Sequence, residues 1–488
     1  MKEKSNRASG VLMHVSSLWG DYSCGSFGKA AREFVDFLAS AGFSYWQTLP
    51  FCLPDDFGSP YSSYSAFSVN PAFIDLDILA GNGLLTREEL ERARQISPYV
   101  CESSRLREER LAYLAAAAKR FDGEELIASF MRDHPHTAAF CRYMALRAAN
   151  GGVSHRLWTN ETPDEDVLKT WEFICFEFFR QWKELREYAH AAGISIIGDI
   201  PIYVSLESSD VWENPKQFLL DGTGLPTEVA GVPPDYFSED GQLWGNPLYD
   251  WKAMKEDGFR WWRERMAFMC ELFDKVRIDH FRGLESYYKI PAGSETAKNG
   301  KWAKGPGMSL IRALREVCGE GKLIAEDLGV IDENVRKLVK ESGCPGMRVM
   351  QFGFGDTPEN PHLPHNYIKE CIAYTGTHDN NTLLGYIWEL SPAQRSEVLR
   401  YCGYDSPEWD RADAYYAVIR TLMASVADTV IIPMQDILRY GGDTRMNVPG
   451  MKDGNWGWRI KREQLSGADP ARLYEYNRLY GRLKNKEA

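Results

Sequence analysis

Lys-Val-Arg-Ile-Asp (275–279) is a short run of strand-forming residues that stops on a carboxylate, and seven further runs of similar make-up accompany it along the chain. Working outward, these are Gly10–Val15, Ser44–Leu49, Ile194–Ile200, Lys322–Asp327, Gly346–Phe352, Cys371–Thr377 and Thr429–Met434. Helical periodicity separates the runs, with apolar residues recurring at three- and four-residue spacing in Lys29–Ala41, Trp171–Ala192, Phe259–Phe273, Ser309–Val317 and Asn334–Val339. Strands that alternate with helices predict parallel pairing through helical crossovers. Eight of them predict a closed (β/α)8 TIM barrel in the α/β class.

Two stretches are longer than a crossover requires. We read the whole chain, 1–488, as a single catalytic barrel carrying two insertions. The segment 51–193 after the second strand is expected to be mostly helical, on the strength of its charged, Ala-rich part Thr86–Asn150. The segment 201–273 after the third strand is rich in Trp, Pro, Gly and Tyr and reads as a loop insertion. Neither an internal repeat nor a linker marking a second domain is evident.

Composition narrows the function classes. The 488 residues carry a formal charge of −12, and no basic run of the kind that grips a nucleic acid occurs. No apolar run reaches the length of a membrane span, and the N-terminus leads into no apolar signal core. The ten cysteines show no C-x-x-C spacing and sit in apolar surroundings, as at Cys175 and Cys371, which reads as reduced thiols of a cytoplasmic protein. Aromatic residues reach 13%. Flat rings suit the C–H faces of sugars, although core packing accounts for such a content equally well. Trp171, Trp182, Trp261 and Trp262 fall on helical patterns and are assigned to the core.

The strand ends hold the chemistry. Asp199, Asp279, Glu326 with Asp327, Asp379 and Asp436 each close or directly follow a run. In a single barrel these acids converge on one rim although they lie far apart in sequence. Any one of them is equally well explained as a helix N-cap. Taken together they point to paired carboxylates whose acidities are pushed apart. A divalent metal site is the competing use of such acids. Arg277, two residues before Asp279, favours the ionised carboxylate and competes with a cation for it. His134, His136, His362 and His365 lie in Pro-containing loops and read as surface residues.

Arg-Ile-Asp-His-Phe-Arg-Gly (277–283), Ala-Glu-Asp-Leu-Gly (325–329) and Gly-Thr-His-Asp-Asn (376–380) resemble the core motifs of the 4-α-glucanotransferases of glycoside hydrolase family 77. Ser-Pro-Tyr-Ser-Ser-Tyr-Ser-Ala-Phe (59–67), Gly-Asp-Ile-Pro-Ile-Tyr-Val (198–204), Pro-Pro-Asp-Tyr-Phe-Ser (233–238), Gly-Gln-Leu-Trp-Gly-Asn-Pro (241–247) and Arg-Met-Asn-Val-Pro-Gly (445–450) extend the resemblance in order along the chain. It implies an α-amylase-type barrel without a C-terminal β-domain. It also implies retaining transfer of an α-1,4-glucan segment from maltooligosaccharide, starch or glycogen to glucose or another glucan, with no cofactor. Position by position, Asp279 matches the nucleophile, Glu326 the acid/base and Asp379 the third carboxylate. Arg277 and His378 match residues that orient the nucleophile and hold the sugar. Asp199 and Tyr61 match rim positions, and Tyr236, Phe237, Trp244, Asn447 and Pro449 match glucan-contacting loops.

Two positions depart from the family pattern: Asn381 stands where an acid is usual, and Met451 where Thr is usual. The second falls in a loop that bears on acceptor preference. From the chemistry, Arg277 is expected to keep Asp279 ionised. Glu326 is expected to hold its proton, through neighbouring negative charge and partial desolvation. The segments 201–257 and 441–456, with Trp456, are candidate lids against water. A hydrolase of the same fold and a catalytically silent glucan-binding protein are the alternatives.

Overall fold

The computed structural model describes residues 7–55, 58–234, 239–451 and 453–484, apart from the side chains of 103, 104 and 107. Twelve strands form two sheets among these residues. We number them β1 (Ala8–Leu12), β2 (Tyr45–Gln47), β3 (Ser195–Ile200), β4 (Glu228–Val232), β5 (Gln242–Pro247), β6 (Lys275–Ile278), β7 (Ser286–Pro291), β8 (Lys301–Lys304), β9 (Leu323–Ala325), β10 (Gly346–Val349), β11 (Cys371–Tyr374) and β12 (Thr429–Pro433). Eight of them close a parallel barrel in the order β1-β12-β11-β10-β9-β6-β3-β2. All eight predicted runs are barrel strands. Asp279 and Glu326 lie just beyond the last paired residue of their strands, Asp199 is paired within β3, and Met350–Phe352 turns into a 3-10 helix rather than extending β10.

The alternation of a strand explains where the site sits. Successive side chains point to opposite faces. Leu12, Ile197, Ile324, Ile372, Tyr374 and Ile431 pack together inside the barrel. Their strand neighbours Val11, Ile196, Ala325, Ala373, Val430 and Ile432 pack outward against the helices. Counting by two from the inner set puts Asp199, Glu326 and His378 on the inner face at the carboxyl ends of their strands. In β6, Val276 and Ile278 belong to the outer layer. Arg277 and Asp279 therefore look inward, which is why the two stand together at the mouth.

The outer helices bury a single stripe each. In Lys29–Ser40 the buried residues are Ala31, Phe34, Val35, Phe37 and Leu38, and the 27-residue helix Glu165–Ala191 starts at Asp164, whose side chain accepts from the Val167 amide. Trp171, Trp182, Trp261 and Trp262 are all buried in this layer. At the opposite end of the barrel, buried Arg482 donates to the carbonyls of Ala8, Ala427, Ser425 and Met423 at 2.8–3.1 Å. Asn477 accepts a short bond from Ser9 and donates to the Ala41 carbonyl. The helix Pro470–Leu479 thus covers the seam where β1 meets β12.

Between β2 and β3 the chain forms the helices Ser103–Arg120, Glu124–Asp133, Pro135–Ala149 and Glu165–Ala191 together with shorter elements. The sequence reading treats 201–273 as a loop insertion, yet β4 and β5 lie within it. They join β7 and β8 in a four-stranded antiparallel sheet of order β5-β4-β7-β8. Leu243 and Trp244 of β5 are exposed, so no alternation marks that strand in the sequence.

His134 and His136 dock the helix Pro135–Ala149 onto the barrel helix Arg260–Leu272. His134 Nε2 lies 3.0 Å from Glu271, and His136 sits between Glu264 (2.8 Å) and Glu213 (3.6 Å). Burial lowers the His136 pKa, but the two carboxylates outweigh it and the net shift is upward from 6.5. A raised folded-state pKa favours the protonated native form. Its contribution to stability is complete below pH 6.5 and lost as pH rises through the folded value. Wild-type Tm should therefore drop more between pH 6 and 8 than that of His136→Gln, as scanning calorimetry would show.

Candidate active site

Arg277 organises the barrel mouth. Its guanidinium is buried, and one nitrogen lies 2.6 Å from Asp199 Oδ2 while another lies 2.9 Å from Asp279 Oδ1. The same Asp199 oxygen accepts the Tyr61 hydroxyl at 2.6 Å. A planar five-donor group suits two carboxylates at once. The guanidinium stands between Asp199 and Asp279, where a cation bridging them would have to sit.

His280 adopts a left-handed backbone, φ +48°, uncommon for a residue with a side chain. That turn aims the His280 amide at Glu326 Oε2, 2.7 Å away, while the Leu328 amide reaches Glu326 Oε1 at 2.8 Å. The His280 ring packs edge-on against Trp244, with centroids 4.9 Å apart. Burial pushes its pKa down to about 3, so the ring is neutral at working pH.

The third corner comes from the end of β11. His378 Nε2 lies 3.3 Å from Asp379 Oδ2, and its ring stacks on Tyr61 with centroids 5.2 Å apart. The loop after β12 clamps this corner from outside. Asn447 Nδ2 donates to Asp379 Oδ1 at 2.6 Å, the Asn447 amide donates to the His378 carbonyl at 3.1 Å, and Arg445 donates to the Asp379 carbonyl at 3.1 Å. Trp456, also left-handed with φ +64°, lies within 6.0 Å of both Tyr61 and His378 by ring centroids. A small cavity of about 20 Å³ adjoins His378, lined by His14, Asn381, Gln435 and Arg445 among others.

Burial sets the acidities here. It pushes Asp279 up to about 8, opposed by Arg277 and assisted by Asp199, Glu326 and Asp379. The expectation that Arg277 alone keeps Asp279 ionised is therefore not met: desolvation outweighs the guanidinium. Glu326 is raised as expected, but burial is the leading cause. Arg277 and the two backbone amides oppose the rise, and Asp327 adds to it.

The structure thus brings Tyr61, Asp199, Trp244, Arg277, Asp279, Glu326, His378, Asp379 and Asn447 to one mouth. Pro449 stands exposed in the turn beyond Asn447. Tyr236 and Phe237 lie outside the described residues. Arg445 and the His280 amide escape sequence reading, because both act through backbone groups that no motif spacing reveals. His280 itself was visible only as a neighbour of Asp279. Asn381 turns away from the carboxylates, donating to Glu389 at 2.7 Å.

A parallel barrel with an arginine shared between two acids and further acids on facing strands is an arrangement suited to acid–base and nucleophilic chemistry. The family profile described as 4-alpha-glucanotransferase matches residues 13–465. The chain belongs to that family, glycoside hydrolase family 77. It is 42% identical over 494 residues to the 4-alpha-glucanotransferase of Clostridium butyricum, covering 97% of this chain and 100% of that one. It is 41% identical over 506 residues to the chloroplastic/amyloplastic 4-alpha-glucanotransferase of Solanum tuberosum, covering 98% and 87%. Among solved structures, the amylomaltase from Streptococcus agalactiae in complex with acarbose superposes with a TM-score of 0.93 at 38% identity, over 98% of this chain and 100% of that one.

Proposed function

We propose that Asp279, Glu326 and Asp379 carry out retaining transfer of an α-1,4-glucan segment to the 4-hydroxyl of glucose or another glucan. The observation that carries this reading is the Arg277 bridge. Burial raises both carboxyls, but only Asp279 touches the guanidinium, so when the pair holds a single proton Glu326 is the one to carry it. Asp279 attacks the anomeric carbon as Glu326 protonates the departing oxygen, leaving a glycosyl-enzyme. The acceptor hydroxyl then enters, Glu326 takes its proton, and the ester to Asp279 breaks. Asp379, fixed by Asn447, binds sugar hydroxyls more tightly as the ring flattens. Among the described residues, Asp199 Oδ1 and His280 Nε2 are buried without a protein partner, which suits them to sugar hydroxyls. Trp244 and Trp456 supply apolar cover that disfavours water as acceptor.

Incubation with maltotriose should yield glucose and a ladder of longer maltooligosaccharides, unchanged by a chelator. Products no longer than the substrate would instead identify a hydrolase. The pH profile adds a second check. Two acids in one cleft share a proton, and the active form of the pair holds one. Burial pushes both carboxyls up, so activity should fall on the alkaline side as that last proton leaves. A kcat/KM profile flat through pH 9 would contradict the shared proton. The ten cysteines are free thiols, which supports placing the protein in the reducing cytoplasm.

A further inference from the structure

The helix Leu383–Glu389 follows directly on the His378–Asn380 rim, with Thr382 as its N-cap. Its last turn carries Trp388, which is 67% exposed, against 37% for Trp244 at the mouth and 42% for Trp302. Single apolar residues on a surface are common, but Trp388 has a partner. Trp409 meets it edge to face, with centroids 5.3 Å apart and planes at 75°. Beneath Trp409 lies the Arg395 guanidinium, 3.9 Å from the ring centroid. Arg395 is itself fixed by the carbonyls of Ile387, Trp388 and Leu390, each at 2.9 Å. The two indoles are therefore held in place before any ligand arrives. The bond from Asn381 to Glu389 ties this end of the helix back to the rim. A seven-residue helix spans only about 10 Å.

We propose that Trp388 and Trp409 form a surface binding site for α-1,4-glucan, outside the cleft, which holds a remote stretch of the same polymer the carboxylates act on. This rests on the glucan-transfer reading above. Pyranose rings offer apolar C–H faces that pack on an indole, and a preset pair of indoles takes them up with little ordering cost. A second foothold on one chain raises the local concentration of cleavable linkages without a new contact at the carboxylates. Around the indoles the surface is mostly polar, with Pro392 and Pro407 among the exposed apolar neighbours. Glu389, Ser391, Gln394, Glu408 and Asp410, their sequence neighbours, are polar and exposed. That patch is small for a protein partner, which needs about 1,000 Å² or more of buried surface, and ample for two or three sugar rings.

Native gel electrophoresis with and without amylopectin tests the site, with maltotriose kinetics alongside. Trp388→Ala and Trp388→Lys, at an exposed position, should keep the wild-type Tm and maltotriose kcat/KM. Their retardation by amylopectin should weaken at least about five-fold, as truncating a central indole of a binding site does. Unchanged retardation overturns the proposal. So does a parallel loss on maltotriose, which would place the indoles in the cleft. So does a change of oligomeric state on size exclusion, which would make the patch a self-association face. A wild type that builds no ladder from maltotriose refutes the transfer reading instead, because the gel still reads the surface site.

Discussion

The Asp279→Asn variant should fold, bind glucan and lose transfer by at least about 10³-fold in kcat, the scale expected when a covalent nucleophile is removed. The same variant should be more stable than the wild type at alkaline pH. Asp279 ordinarily titrates near 3.8, and burial pushes it to about 8 in the folded chain. With the folded value raised, the native state favours the protonated form. The benefit is present below the unfolded value and is lost as pH climbs from about 4 to 8. Asn carries no charge at any pH and escapes that loss. Its Tm advantage should be small at pH 4 and larger at pH 8. The remaining ion pair to Asp199 keeps Arg277 satisfied. An active Asp279→Asn variant would remove Asp279 from the nucleophile role, and a Tm difference that shrinks with pH would contradict the burial argument.

Arg277→Met should be the most damaging single change to the mouth. Removing one partner from a buried ion pair leaves the other charge uncompensated and costs about 3–5 kcal/mol. Here one guanidinium serves two acids, Asp199 at 2.6 Å and Asp279 at 2.9 Å. Without it the force opposing burial of Asp279 is gone, so that carboxyl should climb further above its present value. Stability should drop most at high pH, and the remaining activity should vanish because the nucleophile stays protonated. Arg277→Lys retains one charge but cannot span two carboxylates, and should restore part of the stability and little of the rate. Denaturant melts at pH 6 and pH 8 would show the first effect. An Arg277→Met protein with wild-type stability at both would refute the bridge.

How much of this could be read beforehand follows from the kind of signal each part leaves. The eight barrel strands were legible because each is a dense run of β-formers, several of them closed by polar residues, and helix-period stripes fall between many of them. The four strands of the outer sheet were not. Gln242–Pro247 shows four exposed residues in a row, and Lys301–Lys304 is mostly exposed. These strands exist because they pair with one another, a fact that appears in no local pattern. Within the site, Asp199, Arg277, Asp279 and Glu326 were legible because strand parity fixes the face they look to. Arg445 and the His280 amide were not, since their partners are backbone atoms brought near by loops. The acidity of Asp279 also escaped. Spacing shows Arg277 beside it but says nothing of how much water the folded mouth removes.

The seam between β1 and β12 has a consequence for how the chain acquires its shape. Ala8 pairs with Thr429. β1 therefore waits until all the other barrel strands have been made before one of its edges is covered. At typical synthesis rates the gap of some 420 residues lasts roughly 20–85 s. Contacts of this span slow folding, because a long loop must close before they repay it. Through that interval Ala-Ser-Gly-Val-Leu (8–12) is an open template of apolar residues and unpaired amides. Arg482 and Asn477, which fasten the seam, arrive later still. Asn477 and Arg482 are thus the latch of the barrel, and a messenger or ribosome that stops short of them leaves the seam unfastened.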